Sequence, residues 1–266
     1  MTGLSNLLSL GQAAFYGIGA YITALALKTL GLPLVPSILL SVITTIFFAY
    51  IIGKITLKLK GDYFILATLG FQIIVYTTLY NWITLTKGPY GISGIPSPKF
   101  LGFMNIEGSV AYCVLSSILA GITIFVFYRL THSSFARALR ALRSDRVSML
   151  ALGKNIASLR LKSFIVSSSF TAISGFLYAS YISYIDPTSF NIDESIFIIS
   201  AVLIGGTGRI RGPVAGTIFV VILPELLRFV GLPDSVAANL RMIIYGLIMI
   251  ILMRYRSQGI AGSFKF

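Results

Sequence analysis

The sequence predicts an all-α protein, a polytopic membrane helix bundle of about eight membrane segments, one of them short or broken. Of its 266 residues, 56% are hydrophobic and 11% are charged, whereas soluble domains carry about 25% charged residues. The mean hydropathy is +0.90, so the excess of apolar side chains must face lipid rather than water. Apolar runs also follow one another nearly from end to end, which predicts one transmembrane domain over residues 1–266.

Seven apolar runs are long enough for membrane helices, which need about 20 residues each. They span residues 10–30, 34–53, 63–82, 110–130, 164–185, 213–230 and 237–254. An eighth run at 195–206 is too short for a straight crossing and leads into Gly205, Gly206 and Gly208. Irregular backbone of this kind is tolerated at membrane depth only where protein buries it. We therefore predict a membrane helix break at these three glycines.

The basic residues predict which side of the membrane each loop occupies. If all eight runs cross, five of the 21 Lys and Arg residues lie on one side and all the others lie on the opposite side. The five are Lys28, Lys87, Lys99, Arg228 and Arg241. Because cytoplasmic loops carry the excess of Lys and Arg, the larger set is predicted to be cytoplasmic, together with both termini.

Small residues four positions apart recur in the predicted helices, and such pairs let helix backbones approach closely in a membrane. The pairs are Ala20 with Ala24, Gly175 with Ala179, Ala201 with Gly205, and Gly212 with Gly216. Together they predict a compact bundle.

Several functional classes lack the residues they need. The net charge of +13 does not indicate nucleic-acid binding, because no basic face with interleaved aromatic residues occurs. One cysteine, Cys113, and one histidine, His132, exclude an intrachain disulfide and the usual zinc ligand sets. Gly153-Lys154 lacks the upstream Gly and the following Ser or Thr of a P-loop. We therefore expect no catalytic site, cofactor or metal, and ATP would have to bind another chain.

The longest polar interruption, residues 131–162, falls on the predicted cytoplasmic side. Within it, residues 134–152 predict a surface helix with Ser134 as its N-cap. Its apolar positions, which would supply contact to a partner, are Phe135, Leu139 and Leu142, and its basic positions are Arg137, Arg140, Arg143 and Arg146. Two interpretations stay open: a helix facing water or lipid headgroups, whose Arg residues set topology, or a docking element for a cytoplasmic partner. Small residues, including Ala151 and Gly153, favour docking because they would fit a groove.

The carboxylate of Glu225 is the one that lies well inside an apolar run, where charges are expensive. We interpret it as a structural ion pair with Arg228, which follows at i to i+3 helical spacing. The alternative interpretation is a proton or cation site.

The predicted external loop, residues 83–108, is too rich in turn residues around Gly91, Gly94 and Pro96 to form a helix. Glycine and proline in this density predict an ordered or semi-ordered loop. It is either a simple connector or the landing surface for an extracytoplasmic protein.

Several stretches, taken in order, carry a resemblance to a known family. They are residues 8–21 (LSLGQAAFYGIGAY), 91–96 (GISGIP), 137–143 with 151–153 (RALRALR and ALG), and 205–208 with 212–216 and 223–228 (GGTG, GPVAG and LPELLR). They cover nearly the whole chain, which resembles the LivM/LivH-type permeases of ABC importers for branched-chain amino acids, particularly the LivM side.

The resemblance implies a transport subunit rather than an enzyme, namely the membrane-spanning permease of an importer in the cell membrane. It also implies partners: two cytoplasmic ABC ATPase subunits, a second LivH-type permease and an extracytoplasmic solute-binding protein. The segment at residues 131–162 would couple the permease to the ATPases. Its coupling residues would be Phe135, Arg137, Leu139, Arg140, Leu142, Arg143, Ala151 and Gly153.

The sequence departs from the family pattern at two places. Family members usually have another membrane helix before the stretch that starts at Leu8, whereas Met1 stands almost directly before it here, which leaves the position of the native start open. Ala136 occupies a position where the coupling segment of the family often has Gly, which affects the expected local turn but not the expected role.

Alternatives to a branched-chain amino-acid permease stay open. An ABC permease for urea, short amides or another small polar solute would share the same motifs. An ion-coupled secondary transporter would need ionisable or unwound sites at the membrane midplane. Glu225 is the single residue that supports this alternative, and the support is weak. Because no polar midplane side chain stands out that could hold an amino acid's charged groups, we predict that specificity lies mainly in the binding protein.

Overall fold

The computed structural model describes residues 3, 7–59, 61–100, 104–105, 108–208, 210–228, 240, 243–244 and 246–247. The chain divides into two compact units, the first containing Leu7–Ser195 and the second containing Thr2–Asn6 and Ile196–Phe266. The predicted helix at 237–254 falls largely outside the described residues.

The described part of the chain is mostly helical. Its α-helices are α1 (Gln12–Lys28), α2 (Leu34–Thr56), α3 (Asp62–Asn81), α4 (Ile83–Thr86), α5 (Ser109–His132), α6 (Ser134–Ser144), α7 (Arg146–Ala151), α8 (Ile156–Ile182), α9 (Ile192–Gly205) and α10 (Arg211–Arg228). Its strands are β1 (Ile92–Ser93), β2 (Lys99–Phe100), β3 (Met104–Asn105) and β4 (Tyr184–Ile185), paired antiparallel as β1 with β4 and β2 with β3. The prediction of an all-α membrane bundle is confirmed.

Within the described residues, α2, α3, α5 and α8 are long and apolar enough to cross a membrane. All four coincide with predicted runs, while the total of eight crossings stays a prediction. α8 begins at Ile156, well before the predicted run at 164–185, because Asn155 caps it by accepting a hydrogen bond from Ser158 N (3.0 Å). Arg160 and Lys162, assigned above to the polar interruption, therefore lie inside this helix.

α1 is the centre of the first unit, and most of its side chains are buried. α2 packs against α1 and α8 with buried residues at every fourth position: Ser37, Ser41, Thr45, Ala49 and Gly53. This spacing places the small side chains on one face of the helix. The Ser41 hydroxyl donates to the carbonyl oxygen of Gly19 in α1 (3.0 Å).

The predicted small-residue pair in α8 lies against the backbone of α1. A Cβ atom at Gly175 would lie 2.7 Å from the backbone N of Ala20 and would also meet the carbonyl oxygen of Tyr16. A Cβ atom at Gly19 would lie 2.7 Å from the Cα of Ala172. Glycine is therefore required on both sides of this crossing, since these distances are too short for a methyl group.

α9 and α10 make the same kind of contact in the second unit. A Cβ atom at Gly216 would lie 2.6 Å from Gly205 N, and a Cβ atom at Gly205 would meet the carbonyl oxygen of Gly212. Between the two helices, Gly206 and Gly208 have φ angles of 91° and 100°, which glycine adopts readily. α9 thus ends at Gly205 and α10 begins at Arg211, while the position of this break within a membrane stays a prediction.

α5 packs loosely on the first unit. Tyr112 is its one buried residue within the described chain, and the Tyr112 hydroxyl donates to the carbonyl oxygen of Ser180 in α8 (2.7 Å). A second contact joins the rings of Phe127 and Phe170, whose centroids lie 4.9 Å apart. The remaining surface of α5 is largely apolar and exposed.

The predicted external loop is more regular than expected. The expectation that it contains no helix is wrong, because α4 forms one turn at Ile83–Thr86, where neither Gly nor Pro occurs, and Gly88–Tyr90 form a 3₁₀ turn. Beyond them β1 pairs with β4, and the side chains of Ile92 and Ile95 are buried. These contacts tie the loop to the end of α8.

Candidate coupling segment and interior polar groups

The segment between α5 and α8 begins with a helix cap. Ser133 has extended backbone angles, and its Oγ accepts a hydrogen bond from Ala136 N (3.3 Å). The N-cap is therefore Ser133 rather than the predicted Ser134, which is the first helical residue of α6. Ala136, where the family often has Gly, is fully buried and takes part in this cap.

The predicted single helix over residues 134–152 is divided into α6 and α7 at Asp145. Its Oδ1 accepts hydrogen bonds from Val147 N (2.8 Å) and Ser148 N (3.3 Å), and its Oδ2 accepts one from the Ser148 hydroxyl. These hydrogen bonds, above all that from the Ser148 hydroxyl, hold the pKa of the Asp145 carboxyl below its usual value. The break follows because an Asp side chain competes with the helix for backbone N–H groups.

Leu139 and Leu142 hold α6 to this chain. Leu139 is fully buried and Leu142 is 4% exposed, and Leu142 packs with Met149 and Ile156 in one apolar cluster. The predicted contact of these two leucines with a partner is therefore wrong, because their surfaces are already covered. Phe135 is half-buried. Helical periodicity identifies an apolar face, but it does not say which surface covers that face.

The arginines of α6 differ in their surroundings. Arg137 donates to the carbonyl oxygen of His132 (3.3 Å), and Arg140 donates to that of Thr131 (2.8 Å). Both bonds satisfy carbonyl groups at the C-terminal end of α5, where positive charge is favourable. Arg143 is half-buried, and burial lowers the pKa of its guanidinium.

α7 exposes apolar side chains, whereas the large apolar side chains of α6 are buried or half-buried. Val147, Leu150 and Leu152 are 74%, 56% and 72% exposed, and we call these three residues the α7 patch. Ala151 and Gly153 beside them are also exposed; Gly153, with a φ of 66°, ends the helix by donating to the carbonyl oxygen of Leu150 (2.9 Å). Sequence reasoning missed the patch, although an Asp cap followed by apolar residues three apart could have indicated it.

Polar groups inside the first unit position the start of α1. Leu10 N donates to Thr68 Oγ1 (3.1 Å), and Ala13 N donates to Ser195 Oγ (3.0 Å). Nearby, the fully buried Gln72 donates from Nε2 to the carbonyl oxygen of Phe190 (2.6 Å). Isolated polar residues in apolar runs gave no sequence signal, because a buried structural amide and a functional one look alike in the sequence.

The other predicted site residues lie in the external loop and in α10, and the structure describes the side chains of the first group only. Gly91 lies against the carbonyl oxygen of Ile185, whereas Gly94 and Pro96 are exposed. The side chains of Glu225 and Arg228 lie outside those described, so their ion pair stays a prediction. Among the described residues, no group of three His, Cys, Asp or Glu side chains could hold a metal ion.

Long apolar helices joined by short capped segments define this chain as a polytopic membrane protein. A family model described as the permease component of the branched-chain amino acid transport system matches residues 1–253. The chain therefore belongs to that family, and the resemblance carried by its motifs is confirmed.

Curated relatives carry matching names. The high-affinity branched-chain amino acid transport system permease proteins LivM of Salmonella typhimurium and of Escherichia coli are each 30% identical to this chain over 98% of its length and 65% of theirs. A probable branched-chain amino acid transport permease protein LivM of Methanocaldococcus jannaschii is 30% identical over 84% of this chain and 68% of its own. The chain thus spans about 65% of the length of the first two. No solved structure matches it.

Proposed function

We propose that this chain is the membrane-spanning permease subunit of an ABC importer for branched-chain amino acids. The observation that carries the proposal is the family match over residues 1–253. In this function the chain works with two ATPase subunits, a second LivH-type permease and an extracytoplasmic binding protein. Both of its termini and the segment between α5 and α8 lie in the cytoplasm, as the distribution of basic residues supports.

Leucine transport by the complete complex tests this function. The chain is coexpressed with those partner subunits, purified and reconstituted in vesicles, and binding-protein-dependent uptake of leucine is measured with ATP present. We expect uptake that is competed by isoleucine and valine but not by urea. Uptake that follows an ion gradient without ATP, or ATP hydrolysis stimulated by urea rather than by leucine, would contradict the proposal.

The α7 patch is the proposed contact with an ATPase subunit. Its three side chains are exposed and apolar, and they lie on α7 and on Leu152 directly after it, between the Asp145 cap and Gly153. The buried Leu142 and Met149 connect this helix to the first residue of α8. A displacement of the patch by a bound ATPase subunit would therefore be transmitted directly to α8.

Substitution of one patch residue separates docking from folding. Leu150→Ser should reduce capture of the ATPase subunits by the purified permease, since truncating an interface anchor costs about 1–4 kcal/mol. The matched control is Ile83→Ser, because Ile83 is 66% exposed but lies in the predicted external loop. If both variants capture ATPase equally well at normal membrane levels, the patch is not the docking surface.

A further inference from the structure

Six polar side chains of the first unit lie where α1, α8 and the chain leading into α9 pack together, and we call them the polar strip. They are Gln12 and Tyr16 on α1, Thr171 and Tyr178 on α8, and Ser189 and Glu194 on the chain leading into α9. All six are half-buried. By contrast, the large exposed side chains of α2 are nearly all apolar.

Direct contacts connect five members of the polar strip. The Thr171 hydroxyl donates to Gln12 Oε1 (3.1 Å), and the ring centroids of Tyr16 and Tyr178 lie 5.6 Å apart. The Tyr178 hydroxyl donates to Ser189 Oγ (3.1 Å). These contacts form two groups, Gln12 with Thr171 and Tyr16 with Tyr178 and Ser189. The groups lie side by side because Gln12 and Tyr16 are four residues apart on the same face of α1.

Glu194 joins the polar strip through its chain neighbours. The next residue, Ser195, accepts a hydrogen bond from Ala13 N in the first turn of α1 (3.0 Å), directly after Gln12. On the other side, Asn191 Oδ1 accepts from Glu194 N (3.1 Å) and fixes the first turn of α9. These bonds hold the backbone of Glu194 beside the first turn of α1, where Gln12 lies, and the Glu194 side chain is half-buried.

The depth of the polar strip makes it unsuited to contact with lipid. Thr171 lies near the middle of α8, a helix of 27 residues that is long enough to cross a membrane. Polar and ionisable side chains at such depth are expensive and almost always face a cavity or other protein groups. A partly exposed strip that contains a carboxylate is therefore expected to face water, a solute or other protein groups.

We propose that the polar strip lines the path of the transported solute and contacts the charged groups of a zwitterionic amino acid. This inference rests on the proposed function. The Glu194 carboxylate matches the ammonium group of the solute. Because the Gln12 amide oxygen already accepts from Thr171, its nitrogen is left as a donor that matches the solute carboxylate. Part of the specificity then lies in the permease itself, in contrast to the sequence-based prediction.

Transport kinetics of the reconstituted complex test the role of the carboxylate. Glu194→Gln should change leucine transport at least tenfold, either by raising the KM for leucine delivered by the binding protein or by lowering the maximal uptake rate. The assembly of the subunits and the basal rate of ATP hydrolysis by the ATPase subunits should stay at the wild-type level. Asp193→Asn is the matched control, since Asp193 is the adjacent, exposed carboxylate of the same helix, and its kinetics should match the wild type. Wild-type kinetics in Glu194→Gln would overturn the proposal.

Cysteine accessibility provides a second, independent measurement. In a Cys113→Ser background, Thr171→Cys and Ser189→Cys should react with a charged methanethiosulfonate reagent, and leucine-loaded binding protein with ATP should change the rate. Ile74→Cys is the control, because Ile74 is 65% exposed on the apolar surface of α3 and should remain unmodified. Strip positions that react no faster than Ile74→Cys would overturn the proposal.

Two further outcomes separate the possible failures. If polar strip variants no longer copurify with the second permease although they insert normally, the strip is a subunit contact and the solute-path proposal is wrong. If the wild-type complex does not transport leucine at all, the proposed function itself fails, whatever the variants do.

Discussion

Gly175 and Gly19 determine how closely α1 and α8 approach. Gly175→Ala should lower the melting temperature of the purified permease, because the added methyl group would meet the backbone of Ala20 and Tyr16. Overpacking of this kind costs about 1–3 kcal/mol. Thermal unfolding in detergent, followed by the loss of monodisperse protein, measures the effect.

The control for this prediction is Gly121→Ala in α5. A Cβ atom at Gly121 would have no other atom within 4 Å, and alanine favours a helix over glycine by up to about 1 kcal/mol. Its melting temperature should therefore be equal to or above that of the wild type. Equal decreases in both variants would show that the α1–α8 crossing is not the cause.

Single residues also show where sequence reasoning reaches its limit. Ser133 and Ser134 satisfy the same capping pattern, and only the backbone angles distinguish the cap from the first helical residue. Leu139 was correctly predicted to lie on an apolar face, but burial against its own chain depends on tertiary packing that periodicity does not contain. Gly175 could be predicted, because close helix contacts in membranes require small residues.

Among the short elements, α7 depends most on one side chain. Asp145→Ala removes the acceptor for Val147 N and Ser148 N, so α7 should open and trypsin should cut faster after Arg146. Asp145→Asn keeps an acceptor oxygen at the cap and serves as the control, with cleavage close to that of the wild type. Equal cleavage of both variants would contradict the cap's role.

The same cap predicts how α7 responds to pH. Because the pKa of the folded Asp145 carboxyl is below its usual value, its contribution to stability is present above the unfolded pKa and is lost as the pH falls through the folded pKa. α7 should therefore be equally ordered at pH 7 and 5 and should open only below about pH 4. The ratio of amide exchange rates in wild type and Asp145→Asn measures this, since the intrinsic pH dependence of exchange cancels.

A matched pair of glycines, Gly91 and Gly94, flanks β1. Gly91 and Gly94 both have a φ of 65°, but a Cβ atom would meet the carbonyl oxygen of Ile185 only at Gly91. Gly91→Ala should therefore lower the melting temperature and the transport rate more than Gly94→Ala does, with the strain of a positive φ common to both. If the two variants are indistinguishable, strand pairing does not hold the loop in place.

Elements of different length were predictable to different degrees. Membrane thickness fixes the minimum length of α2, α3, α5 and α8, so apolar runs alone located them. β1, β4 and α7 are held by contacts between distant or competing groups, such as Ile92 opposite Ile185. Such contacts leave no periodic signal in the sequence.

At the scale of the whole molecule, the orientation in the membrane is open to a direct test. In a Cys113→Ser background, Ser93→Cys in β1 should react with an impermeant maleimide in right-side-out vesicles, whereas Ser144→Cys at the end of α6 should react only after permeabilisation. Both positions are exposed in the structure. The reverse pattern would contradict the orientation predicted from the basic residues.

The loose packing of α5 has a mechanical consequence. α6 and α7 are attached to two helices that are packed to unequal extents: α8 has buried residues along most of its length, while α5 is held mainly through Tyr112 and Phe127. A force applied at the α7 patch would therefore displace the loosely packed α5 further than it displaces α8. Spin-label distances to α1, measured with and without ATP in the assembled complex, should change more for Ile118→Cys on α5 than for Ser174→Cys on α8.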